Sequence, residues 1–147
     1  MPSLGERLQA ALNEARKSRD QARTLLFSTI LADLKNREFA LHHPLTDDEG
    51  FDVVRRGIKQ RREAAEQFTA VDRRDRADAE LAEVAALEGF LPAQVPPEEI
   101  RAAVRAVIAG GATDLGKVMG QVMPHFKGRA DGKLVNQIAR EELSAAV

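Results

Sequence analysis

Between residues 89 and 97 the chain reads Gly-Phe-Leu-Pro-Ala-Gln-Val-Pro-Pro, three prolines and a glycine in nine residues. No helix continues through such a stretch. Proline lacks an N–H donor, its ring crowds the preceding turn, and it pushes the residue before it out of helical geometry. On both sides of the break apolar residues recur with helical period, and no sustained period-2 alternation marks a strand. The expectation is an all-α chain in two domains, 1–91 and 92–147: an N-terminal four-helix domain followed by a small C-terminal three-helix bundle. With 147 residues the chain can bury one sizeable core or two small ones.

Start and stop signals divide the two pieces further. Ser3-Leu-Gly-Glu6 has capping-box spacing and opens a helix to about residue 17, with Leu4, Leu8, Ala11, Leu12 and Ala15 on one face. Asp20 can cap a second helix reaching roughly Leu41, stopped by His42-His43-Pro44. Thr46-Asp-Asp-Glu49 is another capping box, opening a long helix to about Ala70 with Phe51, Val54, Ile58, Ala65 and Phe68 in period. A turn near Asp72 leads to a fourth helix with Ala77, Leu81, Val84 and Leu87 inward. Beyond the break, helices are expected from about Pro97 to Ala109, from about Asp114 to His125 and from about Asp131 to Ala145. Gly110-Gly111 ends the first of these.

Composition removes several classes of function. The chain has no Cys, which excludes disulfides, a thiol nucleophile and cysteine-based zinc sites. Its N-terminal residues lack the apolar run of a signal peptide and no later run reaches membrane-spanning length, so a soluble cytoplasmic protein with no membrane partner is expected. The formal net charge is −1, unlike a strongly basic nucleic-acid binder. That balance conceals segregation: residues 45–90 sum to −4, whereas residues 113–140 hold five cations against Asp114 and Asp131 and sum to +3. A polyanion would meet the C-terminal end. With no Trp or Tyr, stacking of bases on aromatic platforms is not expected, leaving backbone or shape recognition.

Two basic clusters stand out. In Lys127-Gly-Arg-Ala-Asp-Gly-Lys133, three cations lie beside two glycines and a helix start. Glycine lets a backbone approach a phosphate closely, and a helix start favours an anion. Lys127, Gly128, Arg129 and Lys133 are therefore candidate phosphate contacts, Lys117 and Arg140 can extend the patch, and Asp131 can cap the last helix. The alternative is an ordinary turn between helices with solvated cations. In the second cluster Arg55, Lys59 and Arg62 share one helical stripe, but Asp52, Glu63 and Glu66 lie a turn away and suit ion pairs; a solvated, salt-bridged face is the favoured reading. His42, His43 and His125 have no metal-ligand spacing, and no metal or cofactor is expected. There is no Gly-rich P-loop, nucleophile elbow or HExxH, and no catalytic residue is nominated.

Several segments together resemble the GatB/YqeY family, in particular its free-standing YqeY-like members. They are Ile58-Lys-Gln-Arg-Arg-Glu63, Leu87-Glu-Gly-Phe-Leu-Pro92, Gly116-Lys-Val-Met-Gly-Gln-Val-Met123 and Lys127-Gly-Arg-Ala-Asp-Gly-Lys-Leu-Val-Asn136. The resemblance implies two helical domains, the second similar to the tail of the B subunit of glutamine-dependent aminoacyl-tRNA amidotransferases. In those enzymes the tail holds the tRNA elbow, while glutamine hydrolysis and ATP-dependent amide formation occur elsewhere. Carried over, Lys117, Lys127, Gly128, Arg129 and Lys133 are the positions best suited to tRNA backbone contact. The tail motif commonly has Ala-Asn-Pro where this chain has Ala130-Asp-Gly132, and the added negative charge lowers the expected affinity.

The family label, carbon–nitrogen ligase activity with glutamine as amido-N-donor, belongs to the full amidotransferase, whose kinase-like and glutaminase machinery this sequence lacks. The expected function is thus a non-catalytic tRNA-binding or adaptor protein with weak backbone contact, possibly meeting amidotransferase subunits. The alternative is a protein–protein module that modulates the amidotransferase or another translation factor without binding RNA.

Overall fold

The computed structural model describes residues 2–126 and 129–146. Among these residues seven helices and no strand occur: α1 (Leu4–Lys17), α2 (Gln21–Leu41), α3 (Asp47–Ala70), α4 (Arg74–Glu88), α5 (Pro97–Ala109), α6 (Leu115–Phe126) and α7 (Gly132–Ala145). They gather into two compact units, Met1–Leu91 and Pro92–Val147.

Helix boundaries follow local chemistry. The Ser3 hydroxyl accepts from the Glu6 N–H and the Asp20 carboxylate from the Arg23 N–H. At Thr46 the box closes in both directions, the hydroxyl taking the Glu49 N–H while the Glu49 carboxylate takes the Thr46 N–H at 3.0 Å. His42 ends α2 in the left-handed region at φ 60° and donates its N–H to Glu38. Pro97 begins α5, where a missing N–H removes no helical bond.

In the first unit Leu8, Ile30, Val54 and Leu87, one from each helix, are fully buried. Gly50 and Gly57, seven residues apart on α3, let that helix approach its neighbours. A Cβ on Gly50 would sit 2.8 Å from Leu4 Cδ2, and one on Gly57 3.2 Å from Ile30 Cδ1. One core expectation fails. Leu81 falls on the helical face shared by Ala77 and Val84, yet it is 48% exposed, while those two neighbours are buried. The main core of this unit takes Val54, Ile58, Val84 and Leu87 from the α3–α4 pair, and Leu81 lies outside it.

The second unit has its own core of Val95, Ile100, Val104, Val118, Val122, Val135, Ile138 and Ala139. Met119 and Met123 pack against it, as side chains of a helix face rather than as ligands.

Candidate nucleic-acid interface

Lys127 and Gly128, the first two positions of the proposed basic turn, lie outside the described residues. Arg129 folds back on the end of α6: its N–H donates to the Phe126 carbonyl at 2.8 Å and its Nη2 to the His125 carbonyl at 2.9 Å. The guanidinium also stands 6.0 Å from the centre of the Phe126 ring. On the other side, the carbonyl of Arg129 accepts from the N–H of Val95 at 2.9 Å. The turn is thus held from two directions while the Arg129 side chain stays exposed.

Asp131 caps α7. Its Oδ1 accepts from the Lys133 N–H at 3.0 Å, so the start of the helix already carries a carboxylate. Side-chain cations, more than the helix terminus, are what this turn offers an anion. Lys133 and Arg140 are exposed and seven residues apart on α7, which places them on one stripe about 10 Å apart along the axis. Asn136 lies between them and accepts from Arg140 Nε at 2.8 Å. Lys117 stands near the opposite end of α6 from the turn, separated from it by about 14 Å of helix rise. It is 3.9 Å from Asp114, which caps α6 by accepting the Lys117 N–H. The structure therefore brings Arg129 and Lys133 to the turn, continues the patch to Arg140 along α7, and leaves Lys117 apart.

The α3 cluster is more committed. Arg55 pairs with Asp52 at 3.2 Å, as its spacing predicts. Arg62 does not pair with Glu63 or Glu66 on its own helix; it reaches across to Glu88 on α4. Beside it Arg61, 16% exposed at its side chain, donates from Nε to Glu83 on α4 at 2.7 Å and from Nη1 to the Gly57 carbonyl at 3.0 Å. These cations fasten α3 to α4. Lys59 is exposed and makes no ion pair among the described residues.

Sequence reasoning missed the densest ionic cluster of the second unit. Arg101 on α5 donates to Glu142 at 2.7 Å and to Glu141 at 2.9 Å, and Arg105 donates to Glu142 at 2.9 Å. Glu142 is a charged side chain only 9% exposed, and both its oxygens are taken. The hydrogen bond from Arg105, then that from Arg101, holds its carboxyl below the usual carboxylate range. These partners are about 40 residues apart, and no local spacing announces them. The α5 arginines are thereby withdrawn from any anion site.

Elsewhere, a groove of about 540 Å³ runs between α2 and α3, with Arg37 and Arg56 set among Asp33, Glu49 and Asp52. Glu49 is occupied by its capping role, and the Thr46 N–H holds its carboxyl below the ordinary range. His43 Nε2 lies 3.4 Å from Glu49, and His43 Nδ1 lies 2.8 Å from the Pro44 carbonyl. No group of three or more His, Cys, Asp and Glu able to hold a metal occurs among the described residues. No helix there is long and apolar enough to cross a membrane.

Comparison with known proteins places these features in a lineage. The chain is 29% identical over 146 residues to a curated protein of Pyrenophora tritici-repentis (strain Pt-1C-BFP), Altered inheritance of mitochondria protein 41, mitochondrial. The match covers 95% of this chain and 80% of that relative. The family model described as Yqey-like protein matches residues 5–143, helices α1 to α7 nearly end to end. The chain belongs to the YqeY-like protein family.

Proposed function

We propose that the protein is a non-catalytic tRNA-binding adaptor whose second unit meets the sugar-phosphate backbone, at the elbow if the resemblance to the amidotransferase tail extends to function. One observation carries this reading. Arg129, Lys133 and Arg140 are exposed and make no ion pair with a carboxylate among the described residues, whereas Arg101 and Arg105 of the same unit are tied to Glu141 and Glu142. Cations left over after internal pairing are the ones available to phosphates. The two compact units are read here as two domains, a four-helix part and a three-helix tail.

Few phosphates would be neutralised, so binding is weak and falls steeply with salt. The test is a titration of labelled tRNA with the full chain at 50 and 200 mM salt (about a fourfold span of ionic strength). Arg129→Ala/Lys133→Ala/Arg140→Ala is the comparison variant. The expected outcome is salt-sensitive binding by the natural chain and a smaller salt slope in the variant. Identical titrations for both proteins, or no binding at low salt, would sink the reading. The second reading, a protein–protein module acting on a translation enzyme, predicts RNA-independent capture of amidotransferase subunits. The compartment is read as cytoplasmic; the mitochondrial relative gives a second compartment to check by localisation of a tagged chain.

A further inference from the structure

Helix α2 is apolar on two opposite faces. Leu26, Phe27, Ile30 and Leu34 enter the core. On the far side Leu25, Ala32 and Phe39 recur every seven residues, a spacing that keeps side chains within about 20° of one another around a helix. None of the three is covered: Leu25 is 69% exposed, Phe39 is 81% exposed and Ala32 is exposed as well. A solvated Phe and Leu on one stripe mark an interaction surface more than chance does.

The stripe is self-complementary. Ala32 is its midpoint, with a large apolar residue seven positions to either side. When a second α2 is laid antiparallel about a two-fold axis through Ala32, each Leu25 meets the other copy's Phe39. The two small Ala32 side chains then allow close approach at the centre. Residues within about 60° of the stripe are Gln21, Ser28, Thr29, Lys35 and Asn36. In the antiparallel register Asn36 comes level with Ser28 and Thr29 of the copy. Lys35, the one charge of this set, also meets those hydroxyls and no like charge. A face that matches its own copy under a two-fold is what an isologous dimer requires.

We infer that the chain forms a homodimer through α2, with Leu25 packed on Phe39 of the other copy and Ala32 at the axis. Three apolar positions per helix make a small interface, so the dimer is a micromolar one. Sedimentation of the full chain from low micromolar to several hundred micromolar concentration should show a monomer–dimer equilibrium. Leu25→Glu and Phe39→Glu should each move it to monomer, with helix content unchanged because neither side chain enters the core. The absence of natural cysteine permits a positional test. Ala32→Cys should oxidise to a disulfide-linked dimer faster than Glu38→Cys, which lies on the same helix away from the stripe. A monomer at every concentration, a dimer unaffected by both Glu variants, or equal cross-linking at residues 32 and 38 would each overturn the inference.

Discussion

The N–H of Val95 donates to the carbonyl of Arg129 at 2.9 Å, joining the segment before α5 to the turn before α7. Val95 is also a core residue, 6% exposed. One residue of a proline-rich connector thus contributes a packing anchor and the backbone bond that fixes the position of Arg129.

Val95→Ala should destabilise the second unit by about 1–3 kcal/mol through lost burial and the residual cavity. Urea unfolding followed by circular dichroism measures it. The effect should appear in the second unit, read by amide exchange of α5–α7.

The Glu142 cluster makes stability depend on pH in a defined direction. Its carboxyl is held low by Arg105 and Arg101 in the folded chain. The contribution is therefore complete above the unfolded carboxylate value, around pH 4, and is lost as pH falls through the depressed folded value. Glu141 shifts the same way, chiefly through Arg101. In Glu142→Gln the acid limb of the stability curve should flatten, read as Tm against pH between about 2 and 6. An unchanged acid limb contradicts the assignment.

Two glycines should respond to alanine with opposite signs. At Gly50 the new Cβ meets Leu4 Cδ2 at 2.8 Å in a closed core, so overpacking of about 1–3 kcal/mol outweighs the helix-propensity gain of about 1 kcal/mol. At Gly120 in α6 nothing lies within 4 Å, and the gain, up to about 1 kcal/mol, stands alone. Thermal melts should place Gly50→Ala below and Gly120→Ala above the natural chain.

The two arginine links from α3 to α4 should differ in strength. Arg61 is enclosed and bonds both Glu83 and a helix carbonyl, so Glu83→Ala should cost about 1.5–3 kcal/mol. Arg62 and Glu88 are each about half exposed, and Glu88→Ala should cost no more than about 1 kcal/mol. Chemical denaturation of both variants decides the order.

Helices were legible in the sequence because their signals are local: hydroxyl and carboxylate caps, prolines, and apolar residues in period. The Ser3, Asp20 and Thr46 caps and the role of Asp131 follow from residues within three positions of each other. Leu81 was misread because periodicity names a face without saying whether a neighbouring helix reaches it. Arg62 was misread because an i, i+4 acid is visible in the sequence and Glu88 on the adjoining helix is not. The same limit hid Arg101 and Arg105, whose partners lie about 40 residues away. The exposed cations could be named from sequence; which remained unpaired could not.

The carboxylate of Asp131 at the start of α7 has one more consequence. The chain supplies its own resident anion at the point where a rigid fan of backbone N–H groups would otherwise await one. An anion arriving there meets cations on long, freely turning stems. Such a surface senses charge density and tolerates differences in ligand shape, so it discriminates poorly between polyanions on its own and leaves selectivity to whatever else the protein touches at the same time.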